Sequence, residues 1–180
     1  MGYPGTGKTH IGKKLMNMNV VHIKSEQVRA DLGFIKYNTN NSVYVKKKMI
    51  AMAKEYLNQN IPILFDASHA SRIWRNNIKK ELCVPTIIIE TVCSCDLAKE
   101  RITRRCAHES EFKTYNNPKI YDEYSSRYDQ YVHDLENINN DSYLKYNSEL
   151  EKFEEIIVSD IHKSIVDQII NIVLNKNTAN

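Results

Sequence analysis

Short apolar runs alternate along the chain with longer stretches whose apolar residues recur every three to four positions. The runs are Val20-Val21-His22-Ile23, Ile61-Pro62-Ile63-Leu64-Phe65-Asp66, Thr86-Ile87-Ile88-Ile89-Glu90-Thr91-Val92 and Ile156-Ile157-Val158. They are rich in β-branched residues and short enough to be buried strands. The third is nearly all apolar, which predicts a central or near-central position in a sheet. Helical spacing predicts helices over Lys8 to about Met18, with Ile11 and Leu15 on one face, Glu26 to Leu32, and Val43 to about Asn58. Further helices are expected over Arg72 to Leu82, Asp96 to Arg105, Lys119 to about Leu135, and Ser164 to Leu174 with Ile165, Ile169, Ile172 and Val173 inward. Ser25 and Ser71 read as N-caps, Gly33 as a stop and Pro118 as a helix opener. Strands alternating with helices indicate an α/β fold with a parallel sheet. The expectation is one domain over residues 1–174, with polar stretches at 34–42, 106–117 and 136–141 and a frayed tail at 175–180.

Length and composition add limits. At 180 residues the chain can bury a substantial core as a single domain. Lys+Arg number 25 against 22 Asp+Glu, a net of +3, which neither requires nor excludes a nucleic-acid partner. No apolar run nears the roughly 20 residues of a membrane helix, and no secretion signal opens the chain, so the cytosol is the expected compartment. The four cysteines are then expected as reduced thiols. Cys93-x-Cys95 with Cys106-x-His108 is compatible with a tetrahedral zinc site. Cys93 also ends an apolar run, where a thiol behaves as a small hydrophobe, and that reading is preferred.

The N-terminal segment carries the most specific chemistry. Gly2-Tyr3-Pro4-Gly5-Thr6-Gly7-Lys8-Thr9 matches the G-x-x-x-x-G-K-[ST] phosphate-binding loop at every fixed position. Glycines allow the backbone N–H groups to close on phosphate oxygens, and a helix starting near Gly7 aims its positive end at the same anion. Gly2, Pro4, Gly5, Thr6, Gly7, Lys8, Thr9 and His10 are therefore the candidate nucleotide contacts. Lys8 would reach the β and γ phosphates, and the Thr9 hydroxyl would ligate Mg²⁺. Such loops ordinarily follow a buried strand, and only Met1 precedes this one, so the first strand is expected to be absent or truncated.

Three other positions fit a phosphoryl-transfer site. Asp66 ends an apolar strand, where it would reach the phosphate end of the sheet and hold Mg²⁺ through its water shell. Glu26 and Arg29 are three apart, on one helix face beside a strand end. Arg101 and Arg105 are four apart on a helix carrying Arg104 as well, suited to neutralising a transferring phosphoryl group from a mobile lid at about 105–118. Lys46-Lys47-Lys48 could touch a phosphate backbone, but such a run more often forms a solvated helix face. Tyrosines at 121, 124, 128 and 131 share helical spacing and fit packing better than base stacking.

Taken in order over residues 2–135, these segments resemble P-loop kinases of the polynucleotide 5′-kinase and zeta-toxin-like kind, an AAA-type ATP-binding kinase domain. The resemblance rests on Gly2–Thr9, Ser25-Glu26-Gln27-Val28-Arg29, Leu64-Phe65-Asp66-Ala67-Ser68-His69, Arg72-Ile73-Trp74-Arg75 and Arg101-Ile102-Thr103-Arg104-Arg105. It implies a three-layer, nucleoside-kinase-like fold with a parallel sheet of about five strands and an Arg-rich lid. It implies ATP and Mg²⁺ as cofactors, Glu26 as the base on the acceptor hydroxyl, Arg29 on the acceptor's phosphate, and Arg101 and Arg105 as lid arginines. The family usually carries Asp where this chain has the longer Glu26. The acceptor would be a polynucleotide 5′-hydroxyl or a small molecule. A nucleotide-binding ATPase switch without an acceptor and an inactive truncated fragment are the alternatives. Guanine specificity lacks its Asn-Lys-x-Asp motif, because the Asn175-Lys176 pair continues as Asn177-Thr178.

Overall fold

A computed structural model describes residues 1–34, 39–69, 71–108, 119, 122 and 141–174. Its strands are β1 (Val21–Lys24), β2 (Ile63–Asp66), β3 (Ile87–Val92), β4 (Ser142–Asn147) and β5 (Lys152–Ile157). The α-helices are α1 (Lys8–Leu15), α2 (Ser25–Asp31), α3 (Thr39–Leu57), α4 (Arg72–Leu82), α5 (Cys95–His108) and α6 (Lys163–Leu174). Apart from Lys119 and Asp122, the expected helix over 119–135 lies outside the described residues, as do residues 109–118 of the expected lid and the tail at 175–180. Among the described residues, no helix is long and apolar enough to cross a membrane.

The strands form two sheets, where a single parallel sheet was expected. β1 and β2 pair in parallel, with Val21 opposite Ile63 and Lys24 opposite Asp66. β3 and β4 pair in parallel from Ile87 opposite Ser142, while β5 returns antiparallel on the outer side of β4. The reason for the return is connection length. β4 and β5 are joined by a tight turn, which closes an antiparallel pair, whereas a parallel neighbour needs a long crossover. Among the described residues, β3, expected to be central, has a strand partner, β4, on one side only. Its other edge meets Met1, whose amino group donates to the Ile89 carbonyl and whose carbonyl accepts from Thr91 N–H at 2.8 Å.

Among the described residues, the two larger of three apolar clusters hold the layers. Ile11 and Leu15 of α1 pack with Leu144 and Tyr146 of β4 and Val166, Ile169 and Val173 of α6. Ile23 of β1, Val28 of α2 and Val45, Met49 and Ala53 of α3 form the second. Fully buried side chains such as Leu144 and Met49 are each worth about 1.5–3 kcal/mol relative to exposure. The buried face of α6 is Val166, Ile169 and Val173, and Ile165 points outward, 37% exposed. Ser25 is not an N-cap: Lys24, in extended conformation, occupies that position and Ser25 begins the helix. Ser71 does cap α4, accepting from the Trp74 N–H at 3.4 Å.

Candidate active site

The first turn of α1 opens from Gly7, a left-handed N-cap at φ 98° with no side-chain cap, so its leading N–H groups remain available to an anion. Gly5 is required sterically as well: at φ 81°, a Cβ there would sit 2.4 Å from the Ala98 carbonyl oxygen. The loop is braced from inside. Thr6 Oγ1 donates to the Tyr3 carbonyl at 2.9 Å and shares a hydrogen bond of 2.8 Å with Thr91 Oγ1 at the end of β3. Lys8 Nζ turns inward onto the same Tyr3 carbonyl at 2.7 Å. Burial pushes the Lys8 ammonium down to about 8, against the opposing pull of Asp66 and Glu26.

Parallel pairing of β1 with β2 brings Asp66 under this loop. Thr9 Oγ1 donates to Asp66 Oδ2 at 2.8 Å, and His22 Nε2 lies 3.2 Å from the same oxygen. Burial alone would raise the Asp66 carboxyl. Hydrogen bonds from His22 and Thr9, with the Lys8 charge, outweigh it and hold the group below its ordinary range. One hydroxyl and one carboxylate, both hard oxygen donors, suit Mg²⁺. Gly12 makes room for His22: a Cβ at Gly12 would lie 2.6 Å from its ring. His22 reads in sequence as a half-buried strand residue. Its side chain is 4% exposed and belongs to the Asp66 constellation.

Of the other expected residues, Glu26 is exposed at the start of α2 and its charge is felt at Lys8, while Arg29 is 7% exposed. Arg101, expected as a lid arginine, lies on α5 beside the phosphate loop. Its guanidinium donates to the Gly5 carbonyl at 3.3 Å and to Ser148 Oγ and O at 2.8 and 3.3 Å, tying the phosphate loop to the β4–β5 turn. Ser148 escaped the sequence reading because nothing local in it signals a partner 47 residues away. Arg105 is exposed near the end of α5, and its charge also acts on Lys8. His10 is exposed; partial burial, then the Lys14 and Arg101 charges, hold its imidazole below the ordinary value. Pro4 is half-buried and Gly2 buried.

Beside β2, the His69–Trp74 pair forms a second constellation. The Trp74 indole N–H donates to His69 Nδ1 at 2.9 Å, and Lys46 Nζ stands 4.7 Å from the Trp74 ring centroid. The His69 proton must therefore sit on Nε2, which is buried without a hydrogen-bond partner. Burial, then the N-terminal ammonium and Lys46, push this imidazole down to about 3. Lys46 is thus engaged by an aromatic face, while Lys47 and Lys48 are exposed. Cys93 is half-buried and Cys95 exposed, both as free thiols, and the side chains of Cys106 and His108 lie outside the described residues. Among the described residues, no group of three or more His, Cys, Asp or Glu side chains could hold a metal ion.

A family model described as AAA domain matches residues 1–120, from the phosphate loop through α5. The chain belongs to the AAA domain family. No curated protein matches it significantly. Among solved structures, it is similar to a sugar kinase from Janibacter sp., with a TM-score of 0.57, 11% identity, and 98% and 96% of the two chains covered. A candidate kinase from Chloroflexus aurantiacus gives a TM-score of 0.55 at 17% identity, covering 69% of this chain and 74% of that one. These likenesses establish the α/β P-loop kinase-like fold of this AAA domain.

Proposed function

We propose that the chain is an ATP-dependent kinase that transfers the γ-phosphoryl group to an acceptor hydroxyl. The observation that carries this reading is the Thr9–Asp66 hydrogen bond at 2.8 Å beneath an open, glycine-built phosphate loop. In this reading the loop amides and Lys8 bind the β and γ phosphates, with Lys8 leaving the Tyr3 carbonyl to do so. Thr9 and Asp66 would hold Mg²⁺, which supplies charge neutralisation to the phosphate oxygens when bound. Glu26 takes the acceptor's hydroxyl proton; the acceptor oxygen bonds to the γ-phosphorus as the bridging bond to the β-phosphate breaks and ADP leaves.

Arg29 would orient an anionic group of the acceptor. Arg101 would brace the loop through Gly5, and Arg105, with residues 105–118 as a lid, would close over the transferring group. The acceptor is a hydroxyl compound, either a nucleic-acid 5′ end or a small molecule such as a sugar. The deciding experiment offers labelled γ-phosphate ATP and Mg²⁺ with a 5′-hydroxyl oligonucleotide and, separately, a panel of sugars and sugar acids. Label in an acceptor, lost in Lys8→Ala and in Glu26→Gln while Glu26→Gln still binds ATP, supports the reading. ATP turnover indifferent to every acceptor favours a nucleotide-driven switch instead.

A further inference from the structure

Alternation along β1 and β2 sends Val21, Ile23, Ile63 and Phe65 into the cluster with α2 and α3. The opposite face carries His22, Leu64 and Asp66, and Leu64 packs against the cluster that holds Ile11 and Leu15 of α1. His22 stands opposite Leu64 in the parallel register, one step along this face from Asp66. Its imidazole spans that diagonal and places Nε2 3.2 Å from Asp66 Oδ2.

The contact carries two local costs. The His22 side chain is 4% exposed, and its Nδ1 is buried without a hydrogen-bond partner, which destabilises a fold. Gly12, inside α1, is unfavourable in a helix, yet a Cβ there would lie 2.6 Å from the ring's Cε1 and 2.8 Å from Nε2. An apolar side chain at 22 with alanine at 12 would remove both costs and keep the layer packed. Costs carried by both elements around one hydrogen bond point to a use for that bond.

That use lies in how the carboxylate is divided. Thr9 Oγ1 and His22 Nε2 both approach Oδ2, at 2.8 and 3.2 Å. An ionised carboxylate only accepts, so both groups donate to it. Donors arriving from two elements, α1 and β1, fix the turn of the carboxylate about its Cβ–Cγ bond more tightly than either alone. Oδ1 is thereby left for the water shell of a cation, and Thr9, giving its proton to Oδ2, keeps its lone pairs for the same ion.

We propose that His22 is a positioning residue for the metal seat: its Nε2–H holds Asp66 in the orientation that presents Oδ1 to Mg²⁺, and Gly12 leaves the space in α1 that the imidazole needs. This inference rests on the reading of Thr9 and Asp66 as the groups that hold Mg²⁺, and extends that seat to a second strand.

The test reads Mn²⁺, an oxygen-seeking stand-in for Mg²⁺, by electron paramagnetic resonance with a non-hydrolysable ATP analogue present. Binding of the analogue in EDTA is measured beside it. His22→Phe keeps a ring against Gly12 and removes the donor; it is expected to weaken Mn²⁺ binding by roughly 10–100-fold, with metal-free nucleotide affinity unchanged. His22→Asn, whose amide falls at the Nδ1 position, should lose as much, while His22→Gln, whose amide falls at Nε2, should recover most of the loss. If His22→Phe does not fold, the Asn and Gln pair decides. Undiminished Mn²⁺ affinity in the folded Phe and Asn variants overturns the proposal. So do parallel losses of Mn²⁺ and metal-free nucleotide binding, the mark of a merely structural histidine, or a folded His22→Gln as impaired as His22→Asn. Asp66→Ala separates the premises. Metal binding lost there but kept in His22→Phe refutes the His22 role alone, whereas metal binding kept in Asp66→Ala removes the seat and this proposal with it.

Discussion

Thr9 and Asp66 are 57 residues apart, yet the Thr9 hydroxyl donates to the Asp66 carboxylate at 2.8 Å. α1 supplies one and the end of β2 the other. Thr9→Ala and Asp66→Ala are each expected to reduce phosphoryl transfer by about 100-fold. Together they should cost far less than the product of the two, because each removes the same metal seat. Steady-state transfer rates across a Mg²⁺ titration check this; fully multiplicative losses would separate the two roles.

Lys8 makes opposite predictions for activity and stability. Its folded pKa of about 8 lies below the ordinary 10.5, so the unfolded chain binds its proton more readily. Replacing it by Met should therefore stabilise the nucleotide-free protein at pH 7, by at most about 3 kcal/mol, while abolishing transfer. The sign also fixes a pH window: wild-type stability gains on Lys8→Met as pH rises from 8 to 10.5. Urea midpoints for both proteins across that range provide the measurement.

Arg101 and Arg105 should separate. Arg101→Ala breaks bonds to Gly5 and Ser148, and is expected to cost about 1–3 kcal/mol of stability. Arg105 is exposed, so Arg105→Ala should leave the melting midpoint unchanged and slow only transfer. Thermal melts beside transfer rates distinguish them; a stability loss with Arg105→Ala would refute the assignment.

His69 predicts acid sensitivity. With its folded pKa pushed from 6.5 to about 3, the unfolded state binds more protons across that window, so stability rises with pH through it. His69→Gln, which retains an acceptor for the Trp74 indole, should flatten that slope when urea midpoints are compared between pH 3 and 6.5.

What could be read from residues alone divides along range. The phosphate loop was legible because its chemistry lies in consecutive backbone, and Gly5 and Gly7 are needed at positive φ. β2 and β3 were legible as apolar runs. β4 was not: Ser142-Tyr143-Leu144-Lys145-Tyr146-Asn147 reads as polar, yet Ser142, Tyr143, Leu144 and Tyr146 are buried. Their polar atoms are satisfied across the fold, Tyr143 by Glu90 on β3 and Ser142 by His162 at 2.9 Å. Arg101 was found as a candidate, but its grip on Ser148 was not, because that contact depends on β4 and its turn. A lone strand carries no trace of the partners that neutralise its polar groups.

β5 gives this molecule an outward-facing border. Ile156 and Ile157 lie on it at 46% and 51% exposure, next to Val158 at 38%. A second chain could add a strand there, were it not for Lys152, Glu154 and Glu155 on the same strand, charges that resist such pairing. Colloidal behaviour should then follow the two glutamates rather than the phosphate loop: neutralising them should promote edge-to-edge self-association, with Thr9 and Asp66 untouched.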